Sequence, residues 1–328
     1  MKIEALFDSF NGKRVLVIGD VMTDAYLHGN VNRMSPEAPV PVVDYQYEEQ
    51  RIGGAGNVAL NLQALGATPL IASVIGQDHS GEQLLELFDN SQISTSAIVI
   101  SPERRTTIKT RVLSNSKQLL RIDTEDLQDL SANETTALKR AVLNILQEGL
   151  DGIILEDYNK GVLTTEMIAW IIKEANGRNI PTAVDPKHKN FLSYKNCTLF
   201  KPNLKELKEG LNLAFDYPKN PEALDDALVL LQQKLSNQLS FVTLSEHGVQ
   251  LFDGINQHKK PAHLRNIADV SGAGDTVIAT ASLCLICGAN PDLIASIANL
   301  AGGLVCESPG VISINKQLLL EEALQNQL

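Results

Sequence analysis

The strongest limit on how this chain folds is a recurring unit: a short, continuously apolar run followed by a helix-forming stretch. "RVLVIGD" (14–20), "TPLIASVIG" (68–76), "DGIILED" (151–157), "IPTAVDP" (180–186), "CTLFKPN" (197–203) and "LSFVTLSEHG" (239–248) read as strands. "GGAGNVALNLQALG" (53–66), "GEQLLELFDN" (81–90), "NETTALKRAVLNILQEG" (133–149), "TTEMIAWIIKEANGRN" (164–179), "LKELKEGL" (204–211) and "PEALDDALVLLQQKL" (221–235) carry helical spacing. Strands that are apolar throughout, rather than alternating, are buried on both faces. Joined by helices, they predict an α/β fold: a mostly parallel central sheet with helices on both faces. A chain of 328 residues with 44% hydrophobic content can supply that core.

Two segments break the rhythm. Residues 31–51 and 97–122 carry short β patterns without helices between them, and are expected to form a separate small β-sheet, a lid. "APVPVVDYQYEEQRI" (38–52) contains prolines, which suit an edge strand or flap. "TTIKTRVLSNSKQLLRID" (106–123) reads as two strands with a turn at Ser114–Ser116. No linker or repeat divides the chain, so one domain over 1–328 with an inserted lid is expected.

Composition narrows the partners. The formal charge is -11 and the pI about 5.1, a surface poorly suited to non-specific nucleic-acid binding. The N-terminal "MKIEALFDSFNGKR" has no secretory apolar block, and no apolar stretch is long enough to span a bilayer. A cytoplasmic protein without nucleic-acid or membrane partners is expected. Cys284 and Cys287 form a C-x-x-C pair inside "TVIATASLCLICG", a buried helix rather than a redox turn. With Cys197 and Cys306 they read as structural thiols, and the six histidines share no metal-ligand spacing. There is no Walker A loop, no G-x-G-x-x-G and no G-x-S-x-G elbow.

The chemistry gathers at "DVSGAGDT" (269–276), which precedes an apolar helical run. Glycines there permit a tight turn and close ligand approach. The backbone N–H groups of Gly272, Ala273 and Gly274, at a helix mouth, form an anion site. Asp275 would then accept a proton from an incoming hydroxyl while those amides hold charge on a transferring phosphoryl group. A plain helix cap would also use Asp and Thr here, so the string alone leaves both readings open.

With "GGAGNVALNLQALG", this motif resembles the two signatures of the PfkB or ribokinase family of sugar kinases, over roughly residues 10–320. "VIGDVMTDAY", "SPEAPVPVV", "EDYNKGVL", "DPK" and "PNLKE" resemble, within it, the kinase domain of bacterial bifunctional heptose 7-phosphate kinase/adenylyltransferases. The resemblance implies a ribokinase-like fold. It implies ATP- and Mg2+-dependent phosphorylation of the anomeric O1 of D-glycero-β-D-manno-heptose 7-phosphate, a precursor step toward ADP-heptose. Asp275 is then the base, with Gly272, Ala273 and Gly274 as the anion hole. Asp20 matches a sugar-binding aspartate, and Gly53, Gly54 and Asn57 match sugar-contacting positions. Asp24 either contacts sugar or caps local structure. Asp157 lies in a segment resembling S-D-Y-x-K-G, where Glu156 replaces the usual serine. Lys187 of "DPK" is implied near the ATP phosphates. Asn203 and Glu206 are implied to organise Mg2+ through water. Ser245 and Gly248 line the nucleotide, and Asn299 its adenine side. Asp269, with carbonyls near Ser308 and Gly310, matches a monovalent-cation site, K+ in many relatives.

A sugar phosphate also needs cations for its distal phosphate, and Arg33, Lys109, Arg111 and Lys160 are the candidates. Lys109 and Arg111 alternate with Thr110 and so share one strand face. Arg104 and Arg105 are expected at the surface. The small-molecule partner is a sugar phosphate, and a homodimer through the β lid is expected. No nucleotidyltransferase domain is expected within these residues, so adenylyl transfer would fall to a separate chain. The alternatives are a related kinase for fructose 6-phosphate, ribose or another polyol, and a non-catalytic sugar-binding regulator.

Overall fold

The central strands of this chain are buried on both faces because their side chains alternate between two separate cores. Val15 and Val17 point into one, Leu16 and Ile18 into the other. Burying one such side chain contributes about 1.5–3 kcal/mol, so each strand is held from both sides. The structure is a computed structural model that describes residues 2–115 and 117–328. Ser116, at the end of the expected 114–116 turn, lies outside the described residues.

The chain begins with α1 (Ile3–Ser9), β1 (Arg14–Gly19), β2 (Val21–Met34), β3 (Pro41–Gly54), α2 (Ala55–Ala64), β4 (Thr68–Gly76), α3 (His79–Asn90) and β5 (Ser94–Ser101). It continues with β6 (Ile108–Ser114), β7 (Lys117–Thr124), α4 (Ala132–Gln147), β8 (Gly152–Glu156), α5 (Thr165–Asn176), β9 (Thr182–Asp185) and β10 (Leu199–Phe200). It ends with α6 (Leu204–Leu211), α7 (Pro221–Leu235), β11 (Leu239–Thr243), β12 (Val249–Phe252), β13 (Gln257–Lys260), α8 (Ala273–Ile286), α9 (Pro291–Val305) and α10 (Lys316–Gln325).

Nine strands form the central sheet, in the order β13-β12-β11-β10-β9-β8-β1-β4-β5. Every pairing from β5 to β11 is parallel, whereas β12 and β13 add an antiparallel edge. The expected mostly parallel sheet is therefore present. Its terminal hairpin is an element that the strand–helix rhythm does not announce. One core packs α1, α2, α8, α9 and α10 against the sheet, and the other packs α4 to α7. Helix starts follow local chemistry. Ser131 with Glu134, and Asn203 with Glu206, form reciprocal capping boxes.

The second sheet has four strands in the order β3-β2-β6-β7. It spans residues 21–54 and 108–124, so the expected segments 31–51 and 97–122 need correction. Residues 97–101 belong to β5, at the edge of the central sheet, where Ala97 pairs with Ala72 and is buried in the core. At the other end, the second sheet starts ten residues earlier than expected. Only Asp20 separates β1 from β2, so no loop marks the passage between the sheets.

Parallel register brings the carboxyl ends of β1, β8 and β9 side by side: Gly19 opposite Glu156, and Glu156 opposite Asp185. Ligands of open α/β sheets bind at that edge.

Candidate active site

Asp275 sits in the first turn of α8 and is buried. Gly272 precedes the helix at φ 79°, a left-handed conformation that glycine adopts without strain. A Cβ there would also lie 3.0 Å from Asn57 Nδ2, in the middle of the site. Ala273 N–H makes a long bond to Val270 O, 3.3 Å, and no side chain among the described residues caps the helix. The mouth of this apolar helix thus keeps the positive end of its dipole facing the strand ends.

Two side chains hold the Asp275 carboxylate. Asn57 Nδ2 donates to Oδ2 at 2.6 Å, and the Tyr158 hydroxyl donates to Oδ1 at 2.9 Å. Burial pushes the carboxyl up to about 6, helped by the charge of Asp185, while the bonds from Asn57 and Tyr158 pull the other way. Asn57 is in turn fixed from α2. Asn61, four residues on and so on the same helix face, donates to Asn57 O at 2.9 Å. Asn61 Oδ1 accepts from the Thr276 hydroxyl and from Ile314 N–H, both at 3.0 Å. Asn61 and Tyr158 support the Asp275 site, and sequence reasoning gave neither a role of its own. An asparagine pair four residues apart on an otherwise apolar helix was the available signal.

The acids near β1 are held by different kinds of partner. Asp20 is buried, and both its oxygens accept backbone N–H groups, from Tyr158 at 2.8 Å, Lys160 at 3.0 Å and Val162 at 3.1 Å. It anchors the 157–162 loop rather than presenting a carboxylate to sugar. Burial raises its pKa despite those three bonds. Asp157 is committed likewise: it accepts from Asn159 N–H at 2.8 Å and from the Tyr194 hydroxyl at 2.7 Å. Burial, with the charge of Asp20, pushes Asp157 up to about 6. Neither acid is free to bind substrate in the expected way.

Asp24 is held differently. It lies on β2, buried, and pairs with Arg111 on β6. Gly53, the register partner of Met22, lies diagonally across the β2–β3 ladder from it, where a Cβ would overlap Asp24 Oδ2. Gly54 follows, and α2 with Asn57 begins at the next residue. Tyr26 lies between two guanidinium groups, Arg51 at 5.2 Å and Arg111 at 5.3 Å from the ring centroid. Arg51 also donates to Val311 O at 3.0 Å, tying the second sheet to the 308–313 loop.

Lys109 and Lys187 flank the Tyr158 ring, each 5.3 Å from its centroid. Burial and the charge of Lys160 depress the Lys109 ammonium. Lys160 pairs with Glu125 at 2.7 Å. Arg33 does not join this group. It is exposed, nine residues along β2 from Asp24, or ~30 Å at strand rise. Of the expected phosphate cations, Lys109 and Arg111 lie at the site, and Arg33 lies outside the reach of this chain's own site.

Beyond Asp275, Asp185 pairs with the buried Lys201 at 2.8 Å, and Lys187 with Glu206 at 2.9 Å. Burial alone would depress Lys187, but the charges of Asp185 and Glu206 outweigh it and hold the ammonium above its ordinary value. Lys201, inside "KPNLKE", is a further residue that the sequence reading passed over. Asn203 and Glu206 bond each other in the capping box, and Glu206 also accepts from Lys187. Ser245 and Gly248 bound the tight turn after β11. Asn299 donates to Pro261 O at 2.7 Å, holding the strap that leads from β13. Asp269 accepts Ser271 N–H at 2.9 Å and Gly310 N–H at 3.0 Å, joining the two loops expected to hold a monovalent cation. Burial works against its ionisation, but these bonds keep the carboxyl below its ordinary range.

Glu156 closes the site from below. It is fully buried, and neither oxygen has a hydrogen-bond partner among the described residues. Burial, then the charges of Asp185 and Asp275, pushes its pKa well above the ordinary value.

The four cysteines are free, and no helix among the described residues is long and apolar enough to cross a membrane. The chain is 42% identical over 313 residues to "Bifunctional protein HldE" of Methylobacillus flagellatus, and 41% identical over 294 residues to that of Aliarcobacter butzleri. Those alignments cover 95% and 89% of this chain but 63% and 60% of the relatives, so the chain spans about three-fifths of their length. Phosphofructokinase-2 from Escherichia coli in complex with potassium superposes with a TM-score of 0.79 at 20% identity, over 95% of this chain and 99% of that one. Arabidopsis thaliana ribokinase complexed with ribose and ATP gives 0.71 at 15% identity, over 94% and 99%. Residues 13–318 match the pfkB family carbohydrate kinase description, and with a buried aspartate at the mouth of a glycine-led helix, the chain belongs to that family of ATP-dependent kinases.

Proposed function

We propose that this chain transfers the γ-phosphoryl group of ATP to the anomeric O1 of D-glycero-β-D-manno-heptose 7-phosphate. The carrying observation is Asp275, buried and held between Asn57 and Tyr158 at the mouth of α8. Its carboxylate takes the O1 proton as O1 bonds to the γ-phosphorus and the bond to the ADP oxygen breaks. The amides of Gly272, Ala273 and Gly274 receive the charge that develops on the transferring group. Asp24, with Arg111 beside it, orients the sugar hydroxyls. Lys109 and Arg111 meet the 7-phosphate, and Lys187 and Lys201 the nucleotide phosphates. Mg2+, when bound with ATP, neutralises phosphate charge, and Asn203 and Glu206 would hold its waters. The 269–310 loop pair would hold a monovalent cation such as K+.

The heptose follows from the sequence resemblance and from the HldE relatives. Half-buried Lys109, at the rim of the sugar side, favours a phosphorylated substrate over a neutral sugar. The second sheet exposes Tyr45, Tyr47, Leu119, Leu120 and Ile122, which supports a homodimer through that sheet. The acidic surface fits a cytoplasmic enzyme.

The test is ADP formation with Mg2+-ATP against both anomers of heptose 7-phosphate, fructose 6-phosphate, ribose and free heptose, with Asp275→Asn alongside. The β-anomer of heptose 7-phosphate should be preferred by at least tenfold in kcat/KM, and Asp275→Asn should abolish turnover. Preference for another sugar overturns the substrate. Full activity of Asp275→Asn overturns the base.

A further inference from the structure

We propose that Glu156, Asp185 and Asp275 form a divalent-cation site in which Glu156 binds the ion directly. One oxygen from each of the three buried carboxylates lies within 4.8 Å of the others. Two ligands on opposite sides of an oxygen-bound divalent ion, at about 2.1–2.4 Å each, are about 4.2–4.8 Å apart. The backbone fixes two of the three, since Glu156 and Asp185 are register partners on adjacent strands.

Glu156 supplies a second, independent observation. Its side chain is fully buried, and neither oxygen has a partner among the described residues. A buried polar group left without a partner is costly, and a carboxylate the more so. Neither neighbouring cation bonds Glu156: Lys201 pairs with Asp185, inside the cluster, at 2.8 Å, and Lys187 with Glu206, outside it, at 2.9 Å. The remaining acceptor set is entirely carboxylate oxygen, which selects a hard ion of the Mg2+, Mn2+ or Ca2+ class over zinc or copper. This site differs from the water-mediated one expected at Asn203 and Glu206. It needs no nucleotide, so it stands or falls separately from the sugar assignment.

The experiment titrates Mn2+ alone into nucleotide-free protein and follows free Mn2+ by electron paramagnetic resonance. One ion per chain is expected in the wild type, with affinity at least tenfold weaker in Glu156→Ser and Glu156→Gln. Mn2+ at a hundredfold excess over its Kd should raise the wild-type melting temperature by roughly 4 °C and leave the variants unmoved. Without metal, both variants should melt higher than the wild type, because one buried acid is gone. Anomalous scattering from Mn2+-soaked wild-type crystals should place the ion between the three carboxylates, which decides the matter even if a variant fails to fold. Absence of stoichiometric binding, a peak only elsewhere, or equal binding by the variants would overturn the site.

Discussion

Asp20→Asn separates scaffolding from substrate binding more sharply than any other single change. In the wild type, Oδ2 accepts N–H groups from Tyr158 and Lys160, and Oδ1 accepts that of Val162. An asparagine keeps the shape but has one oxygen. If that oxygen takes the Oδ2 position, the amide NH2 faces the Val162 N–H, donor against donor. A buried N–H left unsatisfied costs about 1–3 kcal/mol, and two bonds lose charge assistance at roughly 0.5–1 kcal/mol each. Relief of a buried charge offsets part of this, leaving about 3 kcal/mol. At ~2.1 cal/mol/K per residue, the unfolding entropy of this chain converts that into a melting-temperature drop of about 4 °C. Thermal unfolding measures the drop, and hydrogen exchange at amides 158, 160 and 162 should show faster opening there than elsewhere. The loop carries Tyr158, so kcat should fall as well. A melting temperature within 1 °C of wild type, with those amides still protected and only the sugar KM raised, would refute the reasoning and return Asp20 to the sugar.

Three further outcomes follow from the same geometry. Asn57→Ala removes a 2.6 Å donor from Asp275, a charge-assisted bond worth about 1.5–3 kcal/mol, so steady-state kinetics should show kcat down by roughly 10- to 100-fold with KM little changed. Gly53→Ala places a methyl against Asp24, so it should weaken sugar-phosphate binding by calorimetry far more than ATP binding; equal loss of both would count against Asp24 as the sugar ligand. Asp78 caps α3 through Gly81 N–H and binds both the N–H and hydroxyl of Thr106, bonds that outweigh burial and depress its pKa. Its contribution is therefore present above the unfolded value of about 3.9 and lost as pH falls through the folded one. Asp78→Asn should cost about 1 kcal/mol in urea unfolding at pH 7, with a gap that narrows below about pH 4; a pH-independent gap would contradict this.

The central sheet was legible because its signal is redundant. Leu16 and Ile18 face one core and Val15 and Val17 the other, so a buried strand is apolar at every position. The second sheet carried a weaker signal. Successive residues are exposed along β7 and the middle of β3, so both faces there lack an apolar period, and its strands hold charges such as Lys109, Arg111 and Asp24. Its start was invisible because β1 runs into β2 with one residue between. The β12–β13 edge escaped for another reason. "VQLF" and "QHKK" are four residues each, too short for a period to establish itself.

Within the site, Asp275 and its glycines were readable because turn, helix and acid are contiguous in the chain. Asp20 and Asp24 were not separable, since "GDVMTDAY" offers two carboxylates four residues apart with nothing local to rank them. Their partners come from far along the chain: Tyr158 N–H for Asp20, 138 residues away, and Arg111 for Asp24, 87 away. Those partners sort the acids by kind. Backbone N–H groups are fixed donors, and an acid that satisfies several of them, as Asp20 does, cannot turn toward a substrate without unmaking a loop. Asp24 and Asp275 are held by side chains, Arg111 in one case and Asn57 with Tyr158 in the other. A side chain can yield or share a lone pair as a ligand arrives, so these acids remain available for chemistry. Glu156 has neither kind of partner among the described residues. A carboxylate kept in that condition, at the carboxyl end of a central strand and beside two other acids, is the one most in need of a cation to complete it.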